Sequence, residues 1–237
     1  MTARTDIHVV HWKLDCDSRM IHVLLQDLAP DERQRADRFR FEKHRRSYIA
    51  ARGMLRRVLA NRLGMSPAAI RFAYGQHGKP RLDYDAHGPC QFNLSHTSNV
   101  AAVAMSNDLV LGIDVEDETF SDLSIADTIL AGDELKRFRA LPKDARAPSL
   151  MRAWTRKETV LKALGTGFSV EPVQLEISFE PSVPSRLLAL HLSAPEPHRW
   201  SVQDLSLSDC RYAAIAIIDR PANIDIVVEQ TKFQAVE

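Results

Sequence analysis

Met-Arg-Ala-Trp-Thr-Arg-Lys-Glu-Thr-Val-Leu-Lys-Ala-Leu-Gly-Thr-Gly-Phe occupies residues 151–168, and the rest of the chain is interpreted around it. The segment contains no proline and reaches its first glycine at Gly165, which predicts a helix that ends there. Intervals of three and four residues place Trp154, Glu158, Leu161, Lys162 and Gly165 on one face of that helix. A carboxylate and an ammonium group therefore share a stripe with a large aromatic ring.

The simplest interpretation of this pair is structural. Glu158 precedes Lys162 by four residues, which is the favoured order for an exposed ion pair on a helix. Such a pair stabilises a helix by about 0.2–0.5 kcal/mol. Taken alone, the two residues do not indicate a function.

A second acidic segment, Leu-Gly-Ile-Asp-Val-Glu-Asp at residues 111–117, gives the pair another meaning. Its alternating pattern predicts a strand with Asp114 and Glu116 on one side and the apolar residues between them facing a core. Neighbouring carboxylates repel each other unless a cation lies between them. Joined by Glu158 from a helix packed across the strand, they would form an all-oxygen site suited to Mg²⁺.

The composition is that of a globular protein. The chain has 237 residues, of which 45% are hydrophobic and 26% charged, and its formal net charge is zero. This balance gives no support for binding to nucleic acid or to a membrane. Basic residues are nevertheless concentrated in one segment, which predicts a local electropositive face. They are Arg33, Arg35, Arg38, Arg40, Lys43, Arg45, Arg46, Arg52, Arg56, Arg57 and Arg62.

The cysteines and the N-terminus predict a cytoplasmic location. Cys16, Cys90 and Cys210 are far apart and lack the paired spacing of a disulfide framework or a zinc site. Free thiols fit a reducing compartment. The first residues contain no apolar run of signal-peptide length, and nowhere does a run of about 18 apolar residues occur.

Hydrophobic periodicity predicts helices and strands in both halves of the chain. Helices are predicted at 47–63 and 124–139, and Pro142 and Pro148 are expected to act as breaks before the helix of residues 151–165. Strands are predicted at 7–14, 91–95, 100–105, 111–117, 173–179, 187–192, 200–207 and 212–218.

The sequence also repeats itself weakly. Residues 100–105 resemble residues 212–217, which lie 112 positions later, and the same offset places 46–53 on 158–165. The repeat predicts an α+β fold made of a pseudo-twofold pair of similar halves, each a helix packed on a mainly antiparallel sheet. We place the halves at 1–112 and 113–237, with the site between a basic wall and an acidic, metal-holding wall. Two halves in one chain make a monomer the simpler expectation.

A magnesium site opposite a basic surface suits a substrate that carries phosphates. The metal and a lysine neutralise charge on the transferring and leaving oxygens, and a carboxylate accepts the proton of an attacking hydroxyl. The chain contains neither a Walker loop nor a Rossmann glycine fingerprint. The residues alone therefore predict a magnesium-dependent enzyme acting on a phosphate ester or anhydride.

Four motifs resemble, in order and spacing, those of the 4′-phosphopantetheinyl transferases. The match is to the larger, surfactin-synthetase-activating type, in which one chain holds two related halves. The motifs are Gly78-Lys79-Pro80, Phe92-Asn93-Leu94-Ser95-His96-Thr97, Gly112-Ile113-Asp114-Val115-Glu116, and Trp154-Thr155-Arg156-Lys157-Glu158 continuing to Lys162 and Gly165. The resemblance implies transfer of phosphopantetheine from coenzyme A to a serine of an apo acyl or peptidyl carrier protein, with release of adenosine 3′,5′-bisphosphate.

The resemblance also implies roles for individual residues. Asp114, Glu116 and Glu158 match the ligands of the magnesium that holds the coenzyme A pyrophosphate. Glu158 also matches a general base toward the carrier serine, directly or through a water, and Lys162 matches a lysine beside the phosphate under attack. The residues expected to contact the phosphates or adenylate part of coenzyme A are Arg45, Arg46, Lys79, Ser95, His96, Lys157 and Lys162, with one or both arginines at the 3′-phosphate.

Two other functions stay open on the sequence. One is a magnesium-dependent hydrolase of a coenzyme A or nucleotide anhydride, in which water replaces the carrier serine. The other is a non-catalytic module that binds a carrier protein or coenzyme A, although a binder has no evident need for a repulsive acidic cluster. The pathway served, whether fatty-acid, polyketide or nonribosomal-peptide synthesis, is also open. Apolar residues between 119 and 150, among them Leu130 and Phe138, are a hypothetical docking surface for a carrier helix.

Overall fold

A computed structural model gives the arrangement of the chain and describes residues 6–75, 77–118 and 120–231. Within those residues the helices are α1 (Ser18–Asp27), α2 (Pro30–Asp37), α3 (Glu42–Leu63), α4 (Tyr84–His87), α5 (Ala126–Ile129), α6 (Gly132–Ala140) and α7 (Lys143–Leu164). The strands are β1 (Ile7–Lys13), β2 (Phe72–Tyr74), β3 (Pro80–Leu82), β4 (Gln91–His96), β5 (Val100–Ser106), β6 (Leu111–Glu116), β7 (Leu175–Ile177), β8 (Leu187–Leu190), β9 (Trp200–Asp204), β10 (Tyr212–Ile218) and β11 (Ile226–Gln230).

Two sheets form the centre of the molecule. The first has the order β11-β1-β5-β4, and the second has the order β6-β10-β9. All of their neighbouring strands are antiparallel except β1 and β11, which run parallel. Two short hairpins, β2 with β3 and β7 with β8, stand beside them.

Successive side chains of a strand point to opposite faces of its sheet, so they pack in different layers. Val103 and Met105 of β5 face α1 and α3, whereas Ala102 and Ala104 face the second sheet. Ala216 of β10 packs on the α7 side of the second sheet. The order of layers is therefore helix, sheet, sheet, helix, and the α+β prediction is confirmed.

The long helices α3 and α7 end in the same way. Each is 22 residues long and is closed by a glycine in the left-handed conformation, Gly64 at φ 67° and Gly165 at φ 71°. A glycine takes this conformation without the steric cost of a Cβ. Part of the predicted repeat is real in the fold, because β5 and β10 are both central strands.

The helical part of the predicted repeat is wrong. Gly64 and Gly165 are 101 positions apart, not 112, so the offset of the strands does not align the helices. Gly53, which that offset sets on Gly165, lies inside α3, where an added Cβ would stand 2.8 Å from Leu24 Cβ. Its role is close helix packing rather than helix termination, and Arg46 is not the structural counterpart of Glu158.

The C-terminal segment returns to the first half. Strand β11 pairs with β1, with Val9 opposite Val228. The predicted boundary between 112 and 113 falls inside β6. The strands of residues 113–237 are therefore not all in the second sheet, because the last of them, β11, is the edge strand of the first sheet.

Two other expectations for the middle of the chain are corrected. Pro148 is not a break, because it lies within α7, which begins at Lys143; only Pro142 separates α6 from α7. Leu130 and Phe138 are 1% and 5% exposed and belong to the core under α7, so they do not form a docking surface. In the described parts of the chain, none of the helices combines the length and apolar character needed to span a membrane.

Candidate functional site: an acidic cluster under a cleft shared by both halves

Strand β6 and helix α7 bring the three predicted carboxylates together. Along β6, Ile113 and Val115 pack between the sheets, so Asp114 and Glu116 point to the opposite side, where α7 lies. An added Cβ on Gly112 would stand 2.1 Å from the Thr159 carbonyl oxygen of α7. The missing side chain lets the strand and the helix approach closely, and Glu158 of α7 comes within electrostatic reach of both acids.

Lys162 and Trp154 hold the two β6 carboxylates. Lys162 Nζ lies 2.5 Å from Asp114 Oδ1 and 2.8 Å from Ser95 Oγ, and Ser95 Oγ donates to the same Asp114 oxygen at 2.9 Å. Trp154 Nε1 donates to Glu116 Oε1 at 3.0 Å. Trp154 therefore orients one of the acids.

The electrostatics of the cluster are those of like charges in a partly dry site. Burial, followed by the negative charge of Asp114 and then of Glu116, raises the pKa of Glu158 to about 7, against the opposing effect of Lys162. Burial also raises the pKa of Glu116, and the nearby Asp114 adds to it. Burial raises the pKa of Asp114, which Lys162 and Ser95 oppose. The site favours a counter-cation or a proton.

The donors fit a hard divalent cation in part. Asp114 is 3% exposed, and its Oδ2 is a buried oxygen without a hydrogen-bond partner. Three carboxylates offer the all-oxygen chemistry that Mg²⁺ prefers. Among the residues with described positions, however, no three acidic, histidine or cysteine side chains stand close enough to form a ready ligand set. Lys162 is the cation that Asp114 contacts in this arrangement.

Strand β4 connects the first half to the acidic strand through its side chains. Asn93 Oδ1 accepts a hydrogen bond from the Ile113 backbone N–H at 2.8 Å, and Ser95 Oγ accepts one from Val115 at 3.4 Å. Both donors lie on β6, which belongs to the other sheet. Ser95 is therefore placed at the cluster, whereas His96, next along the strand, is exposed with its Nδ1 3.2 Å from the Thr97 carbonyl oxygen.

Lys79 reaches from the first half to the end of α7. Its Nζ donates to the carbonyl oxygens of Lys162 at 2.5 Å and Ala163 at 3.3 Å. These carbonyls belong to the last turn of α7, where a cation also complements the helix dipole. Burial lowers the pKa of Lys79 to about 8.

The structure places three predicted phosphate contacts away from the cluster. Lys157 is completely buried, and its Nζ contacts Glu134 Oε2 at 2.5 Å and the carbonyl oxygens of Ile129 and Pro172 at 2.7 and 3.1 Å. The prediction that Lys157 contacts coenzyme A is therefore wrong, because its ammonium group is fully buried, is paired with the buried Glu134 and does not line the cleft.

Arg45 and Arg46 lie near the start of α3 and are both paired with other residues. Arg46 donates to the Cys16 carbonyl oxygen at 2.6 Å and to Ser18 Oγ at 3.2 Å. Arg45 pairs with Asp37 at 3.3 Å and Glu42 at 3.7 Å, both of them exposed acids. Neither arginine lines the cleft that contains Glu158.

That cleft has a volume of about 770 Å³ and is shared by the two halves. The first half contributes the loop at 77–80 and Asn93, and α7 contributes Trp154, Glu158 and Lys162. The remaining wall is mainly apolar and comes from residues 125–129 and 170–173, with the acids Asp127 and Glu171 at its edge. A charged centre thus opens toward an apolar wall.

Comparison with known proteins agrees with the resemblance of the motifs. Residues 110–218 match the model of the 4′-phosphopantetheinyl transferase superfamily, and residues 11–108 match that of a 4′-phosphopantetheinyl transferase N-terminal domain. The 4′-phosphopantetheinyl transferase HetI of Nostoc sp. is 36% identical over 215 residues, which cover 90% of this chain and 87% of the relative. The chain belongs to the 4′-phosphopantetheinyl transferase family.

Two further relatives of this transferase come from distant organisms. The human L-aminoadipate-semialdehyde dehydrogenase-phosphopantetheinyl transferase is 25% identical over 229 residues, covering 88% of this chain and 74% of the relative. The 4′-phosphopantetheinyl transferase gsp of Aneurinibacillus migulanus is 26% identical over 156 residues, covering 66% of this chain and 64% of the relative.

Sequence reasoning missed several residues that shape the site of this transferase. Asn93 is part of the motif at residues 92–97, but the sequence does not indicate its role, because its hydrogen bond to β6 depends on the packing of two sheets. Glu134 carried no signal, because its partner Lys157 is 23 residues away on another helix. The apolar wall likewise had no motif that could have indicated it.

Proposed function

We propose that this transferase moves phosphopantetheine from coenzyme A to the serine of an apo acyl or peptidyl carrier protein and releases adenosine 3′,5′-bisphosphate. The observation that supports this most is the meeting of Asp114, Glu116, Glu158 and Lys162 beneath one cleft between the halves. A phosphate anhydride requires positive charge at its oxygens, and a serine nucleophile requires a proton acceptor. The cluster offers both kinds of group.

We propose that Asp114, Glu116 and Glu158 hold Mg²⁺. The partnerless Asp114 Oδ2 and the raised pKa values of Glu116 and Glu158 support a cation among them. When bound, the metal would supply positive charge to the pyrophosphate of coenzyme A. Lys162 can release Asp114 and contact a phosphate oxygen of the substrate instead, because its long side chain can rotate.

We propose that Glu158 accepts the proton of the carrier serine, directly or through a water. A carboxylate is a proton acceptor of the kind that an attacking serine hydroxyl requires. Glu158 also lines the cleft, unlike the buried Asp114. A carboxylate at the cleft wall can approach a hydroxyl that enters from the solvent.

We propose that Lys79, Ser95 and His96 contact the phosphates and adenylate part of coenzyme A. Ser95 already touches Lys162 at the cluster, Lys79 lines the cleft, and His96 follows Ser95 on β4 and is exposed. For the 3′-phosphate we favour Arg45 over Arg46. The exposed acids paired with Arg45 are readily exchanged for a phosphate, whereas Arg46 is bound to a backbone carbonyl.

The finer assignments of partner, location and assembly are also proposals. We propose a two-half enzyme of the surfactin-synthetase-activating type that acts as a monomer in the cytoplasm, on carriers of fatty-acid, polyketide or nonribosomal-peptide synthesis. Three free cysteines fit a reducing compartment, and the two family models that lie side by side on the chain fit a single-chain enzyme. Light scattering of the purified protein checks the monomer, and a panel of apo carriers checks the pathway.

Glu158→Gln tests the function against a non-catalytic binder. We expect transfer to fall by at least about 100-fold, because the base and one metal ligand are lost together, while coenzyme A still binds within a few-fold by calorimetry. Asp144→Asn is the matched control, since it removes a carboxylate from the first turn of the same helix at an exposed position. Absence of transfer by the wild type and by the control, with coenzyme A still bound, would support the binding-module interpretation, whereas transfer by Glu158→Gln at the rate of the control would remove Glu158 from the mechanism.

The hydrolase interpretation is tested in the same reaction mixture without a carrier. The transferase proposal predicts that adenosine 3′,5′-bisphosphate appears only when the apo carrier is present, in equal amount to the modified carrier. Steady release of the bisphosphate from coenzyme A and Mg²⁺ alone would show that water is the acceptor.

A further inference from the structure

Lys157 and Glu134 form a completely buried ion pair behind the cleft. Both side chains are 0% exposed, and Lys157 Nζ lies 2.5 Å from Glu134 Oε2. The other Glu134 oxygen accepts a hydrogen bond from the Ile177 backbone N–H at 2.7 Å. The pair thus joins α7, α6 and β7 at one point inside the second half.

The other contacts of Lys157 reach the apolar wall of the cleft. Its ammonium group donates to the carbonyl oxygen of Ile129, the last residue of α5, at 2.7 Å. It also donates to the carbonyl oxygen of Pro172, which begins a short 3-10 turn, at 3.1 Å. Ile129 and Pro172 both line the cleft, on its two wall segments 125–129 and 170–173.

A core requirement alone does not account for this pair. The elements that carry the pair also contribute to the apolar core of the second half, with Val160 and Leu161 on α7 and Leu175 on β7. Burying two charges costs several kcal/mol per ion, and apolar side chains of similar volume are often as stabilising. An apolar residue, however, cannot donate hydrogen bonds to two carbonyl oxygens. Through these two hydrogen bonds the Lys157 ammonium group fixes both wall segments relative to α7.

We propose that Lys157 and Glu134 are positioning residues that set the apolar wall against Glu158, and that they thereby govern the approach of the carrier protein. The inference rests on the proposed function. The charged end of the cleft, at Lys79 and Lys162, suits the phosphates of coenzyme A. The wall of Ile125, Ile129, Val170 and Val173 offers no positive charge for those phosphates, so we assign it to the carrier protein.

The test compares Lys157→Met/Glu134→Leu with the wild type. Replacing both partners avoids leaving one charge buried alone, which would strongly destabilise the fold and obscure the effect on the carrier. The double variant keeps an apolar core but loses both carbonyl contacts of Lys157. The control is Lys136→Met/Asp133→Leu, which removes an exposed ion pair from α6 at 80% and 72% exposure.

We expect a roughly tenfold or larger increase in the KM for the apo carrier, because a shift of about 1 Å in a positioned wall is enough for such losses. The dissociation constant of coenzyme A should stay within twofold, and the control should match the wild type in both. An unchanged carrier KM, or an equal loss of coenzyme A binding, would overturn the proposal.

Hydrogen–deuterium exchange separates this inference from the proposed function. In the double variant, amides of 126–130 and 170–174 should exchange at least about tenfold faster, while those of α3 keep their wild-type rates. This readout does not require a carrier. A wild type that modifies no carrier would remove the proposed function, whereas unchanged exchange at both wall segments would remove the positioning role.

Discussion

At the scale of single residues, the neighbours of a side chain decide what it can do. Lys157 and Lys162 lie five positions apart on one helix, yet one is locked among three acceptors and the other touches Asp114 at the edge of the cleft. Spacing in the sequence predicted correctly that Trp154, Glu158 and Lys162 share a helix face. It could not show that Lys157 turns the other way, because the position of its partner Glu134 depends on the packing of α6.

Lys79 should make coenzyme A binding sensitive to mildly alkaline pH. Burial lowers its pKa to about 8, so its charge is present below that pH and is lost above it. We expect the affinity for coenzyme A to fall about fivefold more between pH 7 and pH 9 in the wild type than in Lys79→Arg, because arginine stays charged. Calorimetry at several pH values measures this difference.

Lys43→Arg is the matched control for that titration, as an exposed lysine of α3. It should follow the wild type at every pH. If Lys79→Arg loses affinity with pH as steeply as the wild type does, the ammonium group of Lys79 does not act on the phosphates. It would then serve only to cap α7.

At the scale of elements, close contact between β6 and α7 creates the site. Alternation along residues 111–117 correctly predicted which face of the strand carries the acids, since the apolar residues between them fill the space between the sheets. The offset of 112 positions that relates the two central strands does not align the two long helices. A helix can shift along its sheet, whereas the register of paired strands is fixed. Helix ends were predictable from Gly165, whereas the extension of α7 past Pro148 was not.

Gly112→Ala should separate β6 from α7. Its Cβ would stand 2.1 Å from the Thr159 carbonyl oxygen and 2.5 Å from the Ala163 nitrogen, both backbone atoms that cannot rotate away. We expect a loss of about 1–3 kcal/mol in the free energy of unfolding, measured in urea, together with reduced transfer.

Gly75→Ala provides the comparison, because the nearest atom to its Cβ would be the Lys79 carbonyl oxygen at an ordinary 3.7 Å. Its stability should change by less than about 0.5 kcal/mol. Equal unfolding free energies for Gly112→Ala and the wild type would mean that the helix and the strand are not held at this distance in solution.

At the scale of the whole molecule, the two halves are joined by more than the connection between them. Strand β11 returns to the first sheet and pairs with β1. Lys79 of the first half donates a hydrogen bond to the Lys162 carbonyl oxygen at the end of α7. The sequence predicted two α+β halves with a site between them. The strands that it predicts end at residue 218 and do not include β11, because a short strand at a sheet edge has little periodicity of its own.

Truncation after Arg220 should destabilise the protein. It removes β11 and exposes β1 along with the pocket filled by Ile224, which is 7% exposed. We expect the Tm to fall by about 5–10 °C, the consequence of losing the burial of about one or two aliphatic side chains. Val228→Thr, at a 39% exposed position of the same strand, should shift the Tm by less than about 2 °C. An unchanged Tm in the truncated protein would show that β11 does not complete the first sheet.

The central claim is that the chain transfers phosphopantetheine to a carrier serine with help from a cation at Asp114, Glu116 and Glu158. The most direct measurement is intact-mass spectrometry of an apo carrier protein incubated with this protein and coenzyme A, in Mg²⁺ and in EDTA. A carrier whose acceptor serine is replaced by alanine is included alongside. We predict a gain equal to one phosphopantetheine on the apo carrier in Mg²⁺ only, and none on the alanine carrier. A gain that is as large in EDTA, or no gain on any of several apo carriers while coenzyme A remains bound, would contradict the account.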